Sequence, residues 1–199
     1  MEEKQITEIE SIQIIQQMID RAKNSIVDKG TWPIYWGALI TFCSLFVFVE
    51  VKLQHFISFD IFLLTIPAMV IQLIVIFYQK NKSKNKPKPI GLSQKAIAYT
   101  WIAFAVSMLL VSFTPEGNNA TVYFVLYGIP TFATGGIINF KPMTIGGIVC
   151  WLCALIVIVF KIDSSIKLLL VSVCSISAWL IPGIILRSRY LRLRKIVNV

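Results

Sequence analysis

Charged residues cut this chain into long apolar stretches. Between Lys29 and Glu50 lie 20 uncharged residues, between Asp60 and Lys80 19, and between Lys95 and Glu116 20. Between Glu116 and Lys141 lie 24, between Lys141 and Lys161 19, and between Lys167 and Arg187 another 19. A helix of roughly 20 residues crosses a hydrocarbon core about 30 Å thick, so each stretch predicts one membrane span. The runs 73–77 and 155–160 do not alternate as the strands of a membrane β-barrel must. A lipid-exposed backbone must also satisfy its own hydrogen bonds, which selects helices. The expected fold is all-α and polytopic, a membrane domain over 31–187 with spans near 33–50, 60–79, 96–114, 120–140, 143–160 and 167–186.

Residues 1–30 carry a different pattern. Thr7 and Glu10 stand at capping-box spacing. Ile12, Ile15, Ile19, Ala22 and Ile26 then recur every three or four residues, and Met18 widens the stripe. Gly30 and Pro33 supply a stop. This predicts an amphipathic helix of about 22 residues leading into the first span. The segment lacks the apolar core and small-residue cleavage site of a signal peptide, so the first span is expected to act as its own insertion signal.

Composition sharpens the class. Apolar residues make up 56% of the chain and charged ones 15%, against about a quarter in soluble domains. A soluble enzyme, a disordered tail and a disulfide scaffold are excluded on that ground. The net charge of +9 is mostly a topology signal. Sixteen of the 19 basic residues fall on one side of the alternating spans: the N-terminal segment, a basic linker over 80–95, Lys141, and a tail over 188–199 with Arg187 before it. Lys52, Lys161 and Lys167 fall on the other. The asymmetry places both termini in the cytoplasm. The tail reads as an anchor at anionic headgroups, making membrane lipids the expected partner and nucleic acid not. The N-terminal helix has six acids against four bases through residue 30, whereas an interfacial membrane helix is usually basic. Its expected role is docking on protein: the bundle's own cytoplasmic side, a second copy, or a cytoplasmic protein.

Short outer loops predict three hairpins, first span with second, third with fourth, fifth with sixth. Each second member carries Ile-Pro near its middle, at Ile66-Pro67, Ile129-Pro130 and Ile181-Pro182. Proline removes a helical hydrogen bond, and Thr65 and Thr131 are placed to satisfy freed carbonyls. Small residues repeat one turn apart in the first members: Gly37 with Thr41, Ala103 with Ser107, and Gly146 with Cys150 and Ala154. Such stripes predict close helix approach.

Candidate chemistry is thin. Cys43, Cys150, Cys153 and Cys174 all fall inside spans; Cys150 and Cys153 spell C-x-x-C, but the one histidine, His55, lies in an outer loop. Buried small hydrophobes are the better account. No Asp, Glu, Lys, Arg or His falls near the centre of any span, and Glu50, Lys52, Asp60, Glu116, Asp163 and Lys167 are expected on the outer rim. Ion-coupled transporters generally place such a group in their pathway. No catalytic residue, metal site or cofactor is expected. A minority reading makes the chain an uncoupled small-solute carrier or channel, with Pro67, Gln72, Pro130 and Pro182 as gate or cavity residues. Asn139 is expected to be hydrated at the end of the fourth span.

The stretch 11–23 (SIQIIQQMIDRAK), the Trp36-Gly37 opening, Tyr127-Gly128-Ile129-Pro130 and Leu180-Ile181-Pro182-Gly183 before a basic tail together resemble small polytopic membrane proteins common in Bacteroidetes. The resemblance implies a bacterial inner membrane, supplies no catalytic residues, and hints at cytoplasmic regulators as partners. The leading expectation is a non-enzymatic protein acting through contacts as sensor, scaffold or accessory subunit. Its docking face would be Ile12, Ile15, Met18, Ile19, Ala22 and Ile26.

Overall fold

A computed structural model describes residues 30–54, 59–82, 91–113, 120–160 and 162–197. The expected N-terminal helix and its docking face lie outside the described residues. Helix α1 spans Thr31–Leu53; α2 starts as a 3-10 turn, Ile61–Leu64, and continues as Thr65–Lys82; α3 is Leu92–Ser112, α4 Ala120–Ile137 and α5 Lys141–Phe160. Then α6 (Ser164–Ser175) passes through a π turn (Ile176–Leu180) into α7 (Ile181–Val197). Among the described residues there is no strand. Six helices are long and apolar enough to cross a membrane, the sixth running unbroken over Ser164–Arg192. The architecture is that of a multi-pass membrane protein.

Helix limits depart from the charge-free runs where local chemistry overrides them. The sequence over 188–197 reads as a tail, yet it is helical to Val197, because leucine, arginine and lysine favour helix and neither glycine nor proline interrupts. The fourth span ends at Ile137 rather than 140 because Asn139 takes a left-handed conformation (φ 51°). Phe140 N–H then bonds to Gly135 O at 2.8 Å and Asn139 N–H to Gly136 O at 3.2 Å, the two bonds of a Schellman motif. Asn139 is a helix terminator, not merely a hydrated polar group.

Helix partners also depart from the expected hairpins. The most extensive packing joins α4 to α5 through the short link 138–140, and α1 to the sixth span, the first and last elements of the bundle. The third and fourth spans do pack together, but α1 meets α2 mainly at its 3-10 start, and the sixth span packs more on α1 than on α5. Loop length predicts sequence neighbours; where backbones can approach decides the rest. The main core is Ile40, Phe124, Cys150, Cys153, Ala154, Val157, Cys174, Ala178 and Trp179. A smaller cluster, Phe140, Met143 and Leu186, closes the end that bears Lys141 and Arg187. Helices α2 and α3 are peripheral: α3 has no buried residue, and Ala68 is the one buried side chain described in α2. Their exposed apolar sides suit lipid, whose tails are as apolar as leucine. Ala103, expected on a packing stripe, is exposed.

Candidate functional site

The first seam of the bundle runs antiparallel between α1 and the sixth span. Ser44 Oγ and Ser172 Oγ lie 2.7 Å apart, and Ser175 Oγ donates to Gly37 O at 3.0 Å. A Cβ on Gly37 would lie 2.7 Å from Leu180 N, and one on Gly183 would lie 2.8 Å from Ile34 N. Gly30, at φ +63°, presses on Gly183 O and Arg187 N, and Arg187 Nη1 donates to Thr31 Oγ1 at 3.0 Å. From the other side, a Cβ on Gly146 would meet Ser177 O at 2.5 Å and Ala178 Cα at 2.6 Å. The π turn is thus held between two glycines of two helices. The Trp36-Gly37 and Leu180-Ile181-Pro182-Gly183 motifs are packing devices, and so is Gly128, whose missing side chain leaves room for the Trp151 indole.

From that turn Trp179 reaches into the centre. Its Nε1 donates to Thr131 Oγ1 at 3.1 Å, and Thr131 Oγ1 donates to Tyr127 O at 2.7 Å. The Trp179 ring stands edge-on to Tyr127 at 5.0 Å and lies 6.1 Å from Trp101. Trp101 in turn donates to Thr134 Oγ1 at 3.1 Å and packs edge-on against Phe104 at 5.6 Å. This aromatic and hydroxyl centre fastens α3, α4 and the sixth span. Sequence reasoning missed it, although the signal was there: tryptophans and threonines inside spans, each needing a partner in lipid.

The residues expected to form a gate or cavity are not brought together. Pro67 is exposed in the first turn of the α-helical part of α2, where the 3-10 turn gives way to α-helix. Pro130 lies inside α4, and it is fully buried. The carbonyl freed there is that of Leu126, whereas Thr131 bonds to Tyr127 O. Likewise Thr65 Oγ1 donates to Phe62 O at 2.7 Å. Pro182 is buried just after the π turn, in which Ile181 N–H reaches back five residues to Ile176 O. A ring at 182 crowds the carbonyl four residues back, and the wider π turn gives it room. Gln72 Oε1 accepts from Trp36 Nε1 at 2.7 Å, tying α2 to α1. The niche lined by Ile40, Tyr127, Cys174, Ser175, Ala178 and Trp179 has no room for a water molecule.

All four cysteines are buried with free thiols. Cys150, Cys153 and Cys174 belong to the core, and no metal-binding group occurs among the described residues. Cys43 Sγ donates to Ile61 O at 3.7 Å, and this contact relocates Asp60. Asp60 precedes Ile61 and caps its 3-10 turn by accepting from Phe62 N at 2.9 Å. Cys43 stands seven residues before Glu50 on α1, a rise of about 10 Å. Asp60 therefore lies well inside the rim marked by Glu50, not on it. The charge pattern could not show this, because it assumes that a span begins where its apolar run begins.

Charge is partitioned along the molecule. Among the described residues the acids are Glu50, Asp60 and Asp163, all on the half of the bundle where α1 ends and α6 begins. The opposite end carries Lys95, Lys141, Arg187, Arg189 and Arg192 with no described acid, and Arg189 stacks over the Phe140 ring at 5.1 Å. Comparison with protein-family models, with curated proteins and with solved structures finds no match for this chain.

Proposed function

We propose that this chain is a non-enzymatic integral protein of a bacterial inner membrane, with both termini cytoplasmic. In this reading it acts through protein contacts as a sensor, scaffold or accessory subunit, and docks through the amphipathic helix over 7–29. The observation that carries the reading is the filled centre: Trp179, Tyr127, Thr131 and Trp101 occupy the space that a carrier would keep for its solute. The basic asymmetry of the sequence supports the orientation. Resemblance to polytopic proteins common in Bacteroidetes supports the compartment. In-membrane crosslinking of the full chain is expected to capture a partner or a second copy that a chain lacking residues 1–30 does not. Ile15→Asp with Ile19→Asp should abolish that product while the bundle stays folded. Association that survives the double substitution sinks the reading.

One observation favours a second reading, the uncoupled carrier or channel: two continuous spans carry a local irregularity, α4 at Pro130 and the sixth at the π turn ahead of Pro182. Transporters build midplane sites from broken helices. Solute flux into proteoliposomes that falls with Pro130→Ala or Pro182→Ala would support it; flux insensitive to both removes that mechanism.

A further inference from the structure

We propose that the N-terminal segment, with six acids against four bases, docks on the basic end of its own bundle. The inference rests on the reading of 7–29 as a docking helix and names its resident occupant. Three observations converge on it.

The first is the charge inventory. Of the chain's 10 acids, six (Glu2, Glu3, Glu8, Glu10, Asp20 and Asp28) precede Gly30. The remaining four are Glu50, Asp60, Glu116 and Asp163. The described ones among these lie on the half of the bundle away from Gly30. The basic end has no acid of its own among the described residues, while Lys95, Lys141, Arg189 and Arg192 are all exposed there.

The second is the exit point. Gly30 is buried against Gly183 and the backbone of Arg187, and Thr31 is hydrogen-bonded to the Arg187 guanidinium. The segment is therefore delivered at the edge of the basic end, where α7 leaves the bundle. A helix of about 22 residues is roughly 33 Å long, enough to lie across the end of a six-helix bundle.

The third is the competitor. Anionic headgroups attract exposed arginines and lysines, but they repel a segment with an excess of acids. Lipid and segment thus compete for the same cations, and tethering at Gly30 holds the segment beside them at millimolar effective concentration.

The test uses the full chain, one copy per phosphatidylcholine nanodisc, and follows amide hydrogen exchange over residues 7–29 by mass spectrometry. Raising salt from about 0.05 to 1 M shortens the screening length to about 3 Å and should raise that exchange about tenfold. Reversing the segment (E8K, E10K and D20K) or the bundle (R189E and R192E) should do the same at low salt, and combining the two sets should restore protection. Exchange indifferent to salt and to both sets overturns the inference. So does protection that appears only with two copies per disc, or only with phosphatidylglycerol present. The reversals leave the isoleucine face intact, so partner capture that persists in them separates failure of this inference from failure of the docking reading.

Discussion

At single residues, missing side chains matter as much as present ones. Gly146 approaches the π turn so closely that Gly146→Ala must push apart α5 and the sixth span, at a cost of about 1–3 kcal/mol. A thermal unfolding series in detergent should show that loss, whereas Gly136→Ala, where nothing lies within 4 Å of the new methyl, should show little. Asn139 offers a test of opposite sign. Its left-handed backbone suits glycine, so Asn139→Gly should hold or raise the melting temperature. Asn139→Val should lower it by the equivalent of about 1–2 kcal/mol. The Gln72→Leu substitution removes the Trp36 bond, and by the magnitudes seen between membrane helices it should cost about 0.6–1.7 kcal/mol. Quenching of tryptophan fluorescence by lipid-borne quenchers should report the freed indole.

For whole helices, charge-free runs located every span, because the desolvation cost of a charge in hydrocarbon leaves a plain mark on sequence. Partnership was less legible. Gly37 and Gly146 were read as sites of close approach, which they are, but nothing in the spacing says that both close on the same π turn. The recurring Ile-Pro likewise suggested three equal kinks. The structure separates them into a helix-start proline at 67, an interior proline at 130 and a proline behind a π turn at 182. Each depends on where a helix begins, which apolar sequence marks poorly. Asp60 is the same problem in reverse: its charge was evident, and neither its capping role nor its depth was. Because its side chain caps Phe62 N–H, Asp60→Asn should retain the turn, while Asp60→Ala should lose about 1 kcal/mol. Proteolysis near the start of α2 is the readout.

The whole molecule is a four-helix body, α1, α4, α5 and the sixth span, with α2 and α3 at its periphery. Helix α3 is fastened largely through Trp101 and Phe104. Replacing Trp101 with Leu should therefore loosen α3 while the rest stays folded. Crosslinks between cysteines introduced on α3 and α4 should weaken, and those between α1 and the sixth span should persist. Loss of both sets together would mean that the peripheral helices are integral to the body.

A π turn holds one residue more than an α-helix of the same length, and each residue of α-helix turns its neighbours by about 100°. The turn at Ile176–Leu180 therefore works as a phase shifter: it lets the half of the sixth span bearing Ser172 and Ser175 and the half bearing Gly183 and Arg187 both face α1. Insertions and deletions here are consequently not equivalent to substitutions. Deleting Ala178 would give a smoother helix and a worse protein, because Gly183 would rotate away from Ile34 and take Arg187 with it. A chain that keeps this seam should keep the count of residues between Ser175 and the Pro182-Gly183 pair, whatever apolar residues stand between them.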